Sequence, residues 1–293
     1  MMRSNFKKKA GKTVLGPGEI PFNTFWFSDS PGVIISCEHA GSRVPQSLHN
    51  LGMPSQFGFG DVHYGCDLGA KPLFVALCHE LRANGISSEI SRAVADVNRP
   101  KDAPTFSAAI QDGVPIPANA SLTEGEKDVR YQEISVPYHS KLLEMIKDLN
   151  TEYSSGILIS LHTMERRLSC DSFGQPCNGV DRPEMAILYD PTNEELARNL
   201  YESWKDTFIE GQMIRVGMNE PYSGDRRHPM VRGTVIDLYH EVLPTVIIEV
   251  RNDLLKSPEQ IQAWSKILAD GIRQARPDLF ARPSADPALQ PVA

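Results

Sequence analysis

The sequence predicts a single α/β domain whose mixed, mostly parallel sheet is covered by helices on both faces. Three observations carry this expectation. Short β-branched runs recur along the chain and are apolar throughout rather than alternating, as strands buried on both faces are. Segments with apolar residues at helical spacing separate them. The chain of 293 residues shows neither an internal repeat nor a strong linker, and one large α/β domain fills that length.

Each element can be read in order. VIISC (33–37) is the first buried strand, bounded by Pro31-Gly32. Leu68, Phe74, Val75, Leu77, Cys78 and Leu81 then recur at helical spacing. Asp67 is placed there as an N-cap or first-turn acid, and Asn84-Gly85 as the stop. Residues 86–97 form the second strand, and 99–123, rich in Pro, Ala, Gly and Ser, a long surface excursion. A helix runs from about Leu122 to Leu149, kinked at Pro137. GILISL (156–161) is the third strand, followed by a long loop over 163–184 and by MAILY (185–189). Helix 193–208 carries Leu196, Leu200, Trp204 and Phe208 at four-residue spacing. MIRVG (213–217) and TVIIEV (245–250) complete the sheet, and a last helix starts after Ser257, with Pro258 at its first position. Residues 1–30 read as an arm laid over the domain, 31–280 as the domain, and 281–293 as a Pro- and Ala-rich tail.

Composition narrows the function. The net charge of −7 argues against a nucleic-acid partner, which would call for a basic face. A few arginines inside a cleft can still reverse the local field for a small anion. No run of about 18 apolar residues suggests a membrane span. Lys7, Lys8, Lys9 and Lys12 are not followed by an apolar stretch, so they read as a solvated arm and not a secretory leader. The cysteines (Cys37, Cys66, Cys78, Cys170 and Cys177) show no CxxC spacing, which favours neither a disulfide framework nor a four-cysteine zinc site. A reducing cytoplasm is the expected compartment.

Open α/β sheets bind ligands beyond the carboxyl ends of their strands, and those ends are rich in functional groups here. Strand 33–37 runs into Glu38-His39, and strand 86–97 into Asp96, Asn98 and Arg99. Strand 156–161 ends at His162, and strand 245–250 at Glu249, with Arg251 and Asp253 beyond. Two histidines at neighbouring strand ends with carboxylates nearby suit a catalytic zinc site of three N/O ligands. His39 and His162 are the histidine ligands. The third donor is Asp67, reaching over from the next helix start, or Glu38, if the strand has already ended there. His63, four residues before Asp67, is a weaker candidate. Glu249 follows three apolar β-branched residues; a carboxylate buried there needs a partner or a task, and general base is the task that fits. Arg92, Arg99 and Arg251 offer bidentate donors for an anionic group or a developing oxyanion.

SCEHAGSRVP (36–45), HYGCDLGA (63–70), SRAVADVNRP (91–100), ISLHTM (159–164) and IIEVRNDL (247–254) together resemble the N-formylglutamate amidohydrolase family. The likeness runs in order from about residue 31 to 275. It implies a phosphorylase/hydrolase-like fold similar to that of zinc carboxypeptidases and aspartoacylases, and one zinc ion per chain. It also implies that His39 and His162 are zinc ligands, that Asn98 and Arg99 bind a substrate carboxylate, and that Glu249 is catalytic. The carboxypeptidase pattern His-x-x-Glu would place a glutamate at 42, where this chain has Ser42; Asp67 or Glu38 must replace it. The implied reaction is hydrolysis of a small anionic N-acyl amino acid, N-formyl-L-glutamate in the simplest case. Arg92 or Arg251 would take its side-chain carboxylate or the oxyanion. Two alternatives are a hydrolase of another N-acyl amino acid or short peptide, and a metal-free dicarboxylate-binding protein.

Overall fold

The structure, a computed structural model, describes residues 13–153, 155–167, 179, 181–227 and 231–281. Its sheet is built from β1 (Phe22–Phe25), β2 (Val33–Cys37), β3 (Asn84–Ser88), β4 (Ile157–Met164), β5 (Met185–Tyr189), β6 (Val216–Met218) and β7 (Thr245–Arg251), in the order β1-β3-β2-β4-β7-β5-β6. β3, β2, β4 and β7 run parallel, whereas β1 at one edge pairs antiparallel with β3. β5 is antiparallel to β7, and β6 follows β5 in parallel. The mixed α/β sheet expected from the apolar runs is therefore present, with two inversions of direction.

Strand parity divides the core in two. Val33, Ile35 and Cys37 of β2, with Ile157, Ile159 and Leu161 of β4 and Val246, Ile248 and Val250 of β7, face one side. There they pack on α1 (Ala70–Leu81), α4 (Glu194–Trp204) and α6 (Pro258–Ala275). Ile34, Leu158, Met164 and Ile247 face the other side, against α3 (Val136–Glu152) and the short α5 (Val235–Tyr239). Because side chains alternate along a strand, Glu38, His162 and Glu249 share the parity of this second side. Glu249 is the direct cross-strand neighbour of His162.

Several boundaries differ from the expected ones. The second strand stops at Ser88, where its pairing with β1 and β2 ends. The chain then turns through hydrogen bonds such as Ala93 N–H to Ser91 Oγ, 3.2 Å, and Arg99 N–H to Asp96 O, 3.1 Å. The long helix is split into α2 (Glu124–Arg130), a π-helical stretch at Tyr131–Ser135, and α3. Pro137 has no N–H to continue an α pattern across this point, and a widened turn absorbs the mismatch. Within the stretch read as an arm, β1 is a sheet edge. Helix 193–208 ends at Trp204; Phe208–Ile209 and Gln212–Met213 instead pair as a hairpin, leaving β6 to start at Val216. The excursion over 99–123 contains a hairpin, Ile110–Gln111 with Val114–Pro115. Cys37, Cys66 and Cys78 are free, buried thiols, and Cys170 and Cys177 lie outside the described residues. No described helix is long and apolar enough to cross a membrane.

Gly271 of α6 lets that helix lie against Trp204 of α4, whose indole N–H donates to Ile267 O at 3.0 Å. A Cβ at 271 would stand 1.9 Å from the Trp204 indole nitrogen. Alanine gains about 1 kcal/mol of helix propensity over glycine, but overpacking a rigid, buried ring costs about 1–3 kcal/mol. Gly271→Ala is therefore expected to lower the denaturation midpoint, by up to about 2 kcal/mol net. An unchanged or raised midpoint would show that the helices can move apart.

Candidate active site

A cavity of about 170 Å³ opens where β2, β4 and β7 end, on the side of α3 and α5. That is room for a molecule of on the order of ten heavy atoms. Of the residues singled out in the sequence, His39, Asp67, Arg92, Asn98, Arg99, His162 and Glu249 all line it, and so does His63.

At its floor three side chains converge on one point. His39, Asp67 and His162 are buried, and each offers one ligand atom within 4.8 Å of the others. The two imidazole rings meet edge to face with centroids 4.7 Å apart. His162 Nδ1 lies 2.9 Å and His39 Nδ1 3.6 Å from Asp67 Oδ2. The far nitrogen of each ring is held by another carboxylate: His39 Nε2 is 2.8 Å from Asp96 Oδ1, and His162 Nε2 is 3.1 Å from Glu38 Oε2. With Nε2–H donated to a carboxylate, Nδ1 is the atom that would serve as a ligand once its own proton is displaced.

Local structure explains these placements. Gly41, just after the Glu38-His39 pair, lets the chain run hard against the 89–90 backbone, where a Cβ would lie 2.3 Å from the Glu89 carbonyl carbon. Asp67 is not a helix cap. α1 starts at Ala70, behind Gly69 in a left-handed conformation (φ 82°) with no side-chain cap. The Asp67 N–H instead donates to His39 O at 2.9 Å, which turns its carboxylate toward the histidines. Glu38 keeps the strand's parity and lies behind His162, outside the converging trio. It accepts from Tyr138 Oη at 2.9 Å and Ser160 Oγ at 2.6 Å.

The electrostatics follow from this packing. Burial alone would push both histidines down, but the carboxylates around them win, raising His39 above its ordinary value and His162 to about 10. Burial likewise opposes the charge on Glu38, yet its hydrogen bonds from His162 and Ser160 hold it at about 2. Asp67 is held well below the usual carboxylate range against its burial, by Arg92 and the histidines. Glu249 goes the other way: burial, reinforced by the charge of Asp67, pushes its carboxyl up. A carboxylate raised next to others held ionised is the pattern of a proton carrier beside fixed charges.

The arginines divide sharply. Arg92 Nη1 lies 3.1 Å from Asp67 Oδ1, and Nη2 3.7 Å from Asp112 Oδ2 at the tip of the 110–115 hairpin, so its charge is already matched. Asp112 also pairs with His63 Nδ1 at 2.8 Å. Arg251 is outside the cavity lining, held by Glu184 at 2.6 Å and Asp253 at 2.7 Å. Arg99 is half-buried on the wall, and among the described residues its guanidinium bonds only the neighbouring Asn98 carbonyl, at 2.7 Å. Asn98 accepts from Val235 N–H at 3.0 Å, which ties this wall to α5. Arg182 and Tyr222 also line the cavity, and no motif in the sequence marks either of them. Arg182 lies three residues before β5, and the antiparallel course of that strand brings its start to the edge where β7 ends, Val250 opposite Met185.

A model of the family described as N-formylglutamate amidohydrolase matches residues 31–256. The chain belongs to this family. Among curated relatives, an N-formylglutamate deformylase of Pseudomonas aeruginosa is 29% identical over 142 residues, covering 45% of this chain and 52% of that protein. The chain thus spans about half the length of the curated relative it matches. Two solved structures share the fold. A gene product of Agrobacterium tumefaciens superposes with TM-score 0.72 at 23% identity, covering 89% of this chain and 96% of its own. An N-formylglutamate amidohydrolase of Ralstonia eutropha superposes with TM-score 0.59 at 16% identity, covering 87% and 97%. The family resemblance and the α/β fold read from the sequence are both borne out.

The wall that carries Arg92, Asp96 and Asn98 is pinned from behind by His139 of α3. Its Nε2 donates to Val97 O at 2.7 Å, which leaves Nδ1 to accept from Tyr239 Oη at 2.9 Å. Burial pushes its pKa below the ordinary 6.5, with the Val97 bond only partly opposing. A depressed histidine contributes stability above its unfolded pKa and loses it as pH falls through the folded one. The stability advantage of wild type over His139→Gln should therefore shrink between pH 7 and pH 5 in denaturation measurements. An advantage independent of pH would contradict the neutral, buried imidazole.

Proposed function

We propose that this chain is a zinc-dependent amidohydrolase that cleaves N-formyl-L-glutamate to formate and L-glutamate. The observation that carries this reading is the convergence of His39, Asp67 and His162 beside Glu249, on the floor of a cavity walled by Asn98 and Arg99.

The donor set fits zinc. Three N/O donors come from separate segments, both imidazoles have their far nitrogen held by a carboxylate, and the cavity leaves one side of the group open. His39, His162 and Asp67 would hold the ion, with Asp67 supplying the carboxylate that the His-x-x-Glu pattern lacks at Ser42. A bound zinc ion supplies Lewis acidity toward the scissile carbonyl and acidifies a water.

The remaining work falls to the chain's own residues. Glu249, a half-buried carboxylate with its pKa pushed up, is matched to taking a proton from the attacking water and delivering it to the departing amide nitrogen. Asn98 and Arg99, both in the cavity wall, would bind the α-carboxylate and so hold the formyl carbonyl over the floor. Arg92, matched by two aspartates, positions Asp67 and does not itself grip substrate. Arg251 stays with its two acidic partners, so neither Arg92 nor Arg251 is free to take the side-chain carboxylate.

Glu249→Gln keeps the shape of the side chain and removes its proton transfer. Formate release should fall by about 1,000-fold, with zinc content and thermal stability unchanged. Residual activity within a few-fold of wild type would end this assignment of the base.

A further inference from the structure

Arg182 is a buried cation in an unusual position. It is 8% exposed, lines the cavity, and among the described residues meets no carboxylate at ion-pairing distance. Its guanidinium is instead fixed by neutral groups. Nη2 donates to Tyr222 Oη, Nη1 lies 3.4 Å from Glu165 O, and its centre sits 4.9 Å from the Tyr222 ring centroid. Arg92 and Arg251, equally buried, each have two acidic partners. Burying a charge without an opposite one is costly unless a ligand completes the pair.

Arg99 is the other cavity arginine with no carboxylate partner among the described residues. Glu249 feels the charge of Arg182, and Asp96 that of Arg99, but among the described residues neither guanidinium is ion-paired with a carboxylate; two such groups in one small cavity suit a ligand with two anionic groups. They come from different places: Arg99 from the segment after β3, Arg182 from the segment that leads into β5.

We propose that Arg182, held in place by Tyr222, binds the second carboxylate of a dicarboxylate substrate and selects an acidic over a neutral side chain, while Asn98 and Arg99 take the first. This rests on the amidohydrolase reading of the site. Tyr222 is a positioning residue: its ring stacks on the guanidinium and its hydroxyl accepts one N–H, which orients the remaining donors.

The test compares kcat/KM for N-formyl-L-glutamate with that for N-formyl-L-glutamine, which has the same shape with a neutral side chain. Arg182→Met should lower the ratio by about 100-fold, mostly through KM for the glutamate substrate. Arg182→Lys should recover part of the loss, and Tyr222→Phe should lower the ratio less than Arg182→Met does. Equal losses on both substrates, carried by kcat, would overturn the proposal by placing Arg182 at the reacting atoms, as would an unchanged ratio. If wild type hydrolyses neither compound, the amidohydrolase reading has failed and calorimetry decides the role of Arg182 alone. Glutarate should then bind wild type about 100-fold more tightly than Arg182→Met, with its monoamide binding the two alike. Equal glutarate affinity for both proteins would overturn the proposal.

Discussion

A carboxylate with 4% of its surface exposed must be compensated from inside the protein, and Asp67 is compensated from three directions. His162 and His39 face one oxygen, and Arg92 faces the other. Each of these partners is itself anchored by a further acid: Glu38, Asp96 and Asp112 respectively. The cavity floor is therefore a lattice of alternating charge, and removing any member leaves a buried neighbour unpaired, the expensive outcome in a low-dielectric interior. This is also what prepares the site for a cation. Both imidazoles turn Nδ1 toward the same carboxylate oxygen, so a metal ion would replace protons at a point where the geometry is already set.

The fold brings this about with modest means. Parity along β2, β4 and β7 puts Glu38, His162 and Glu249 on one side of the sheet, and their ends lie together because the three strands run parallel. Asp67 and the 91–99 segment come from the two loops that flank α1 and β3, which close over the same edge. Apolar packing on α1, α4 and α6 fills one face of the sheet, while on the other the apolar rows against α3 and α5 give way to polar groups at the strand ends.

Much of this was legible in the residues. Continuous apolar strands reveal a sheet covered on both faces, and a functional group just past such a run is conspicuous because the run itself excludes polar residues. That logic picked out His39, His162 and Glu249, and the family likeness added Asn98 and Arg99. It was less able to say which of two carboxylates sits where. Glu38 and Asp67 both lie within reach of His162, and only the turn after β2 and the Asp67 N–H bond to His39 O decide that Asp67 joins the trio. Arg251 misled because it follows Glu249 at strand parity; Asp253, two residues on, captures it locally. Arg182 was invisible for a topological reason. Residues before a strand belong to the wrong edge of a parallel sheet, and nothing in MAILY announces that β5 runs backwards.

The central claim is that hydrolysis at this site needs a metal held by His39, Asp67 and His162. The most direct measurement is formate release from N-formyl-L-glutamate by the purified chain, after chelation and then with one equivalent of zinc restored. The account predicts activity lost on chelation, regained with zinc, and not regained in a His162→Ala variant. Turnover that persists in fully chelated protein would contradict it.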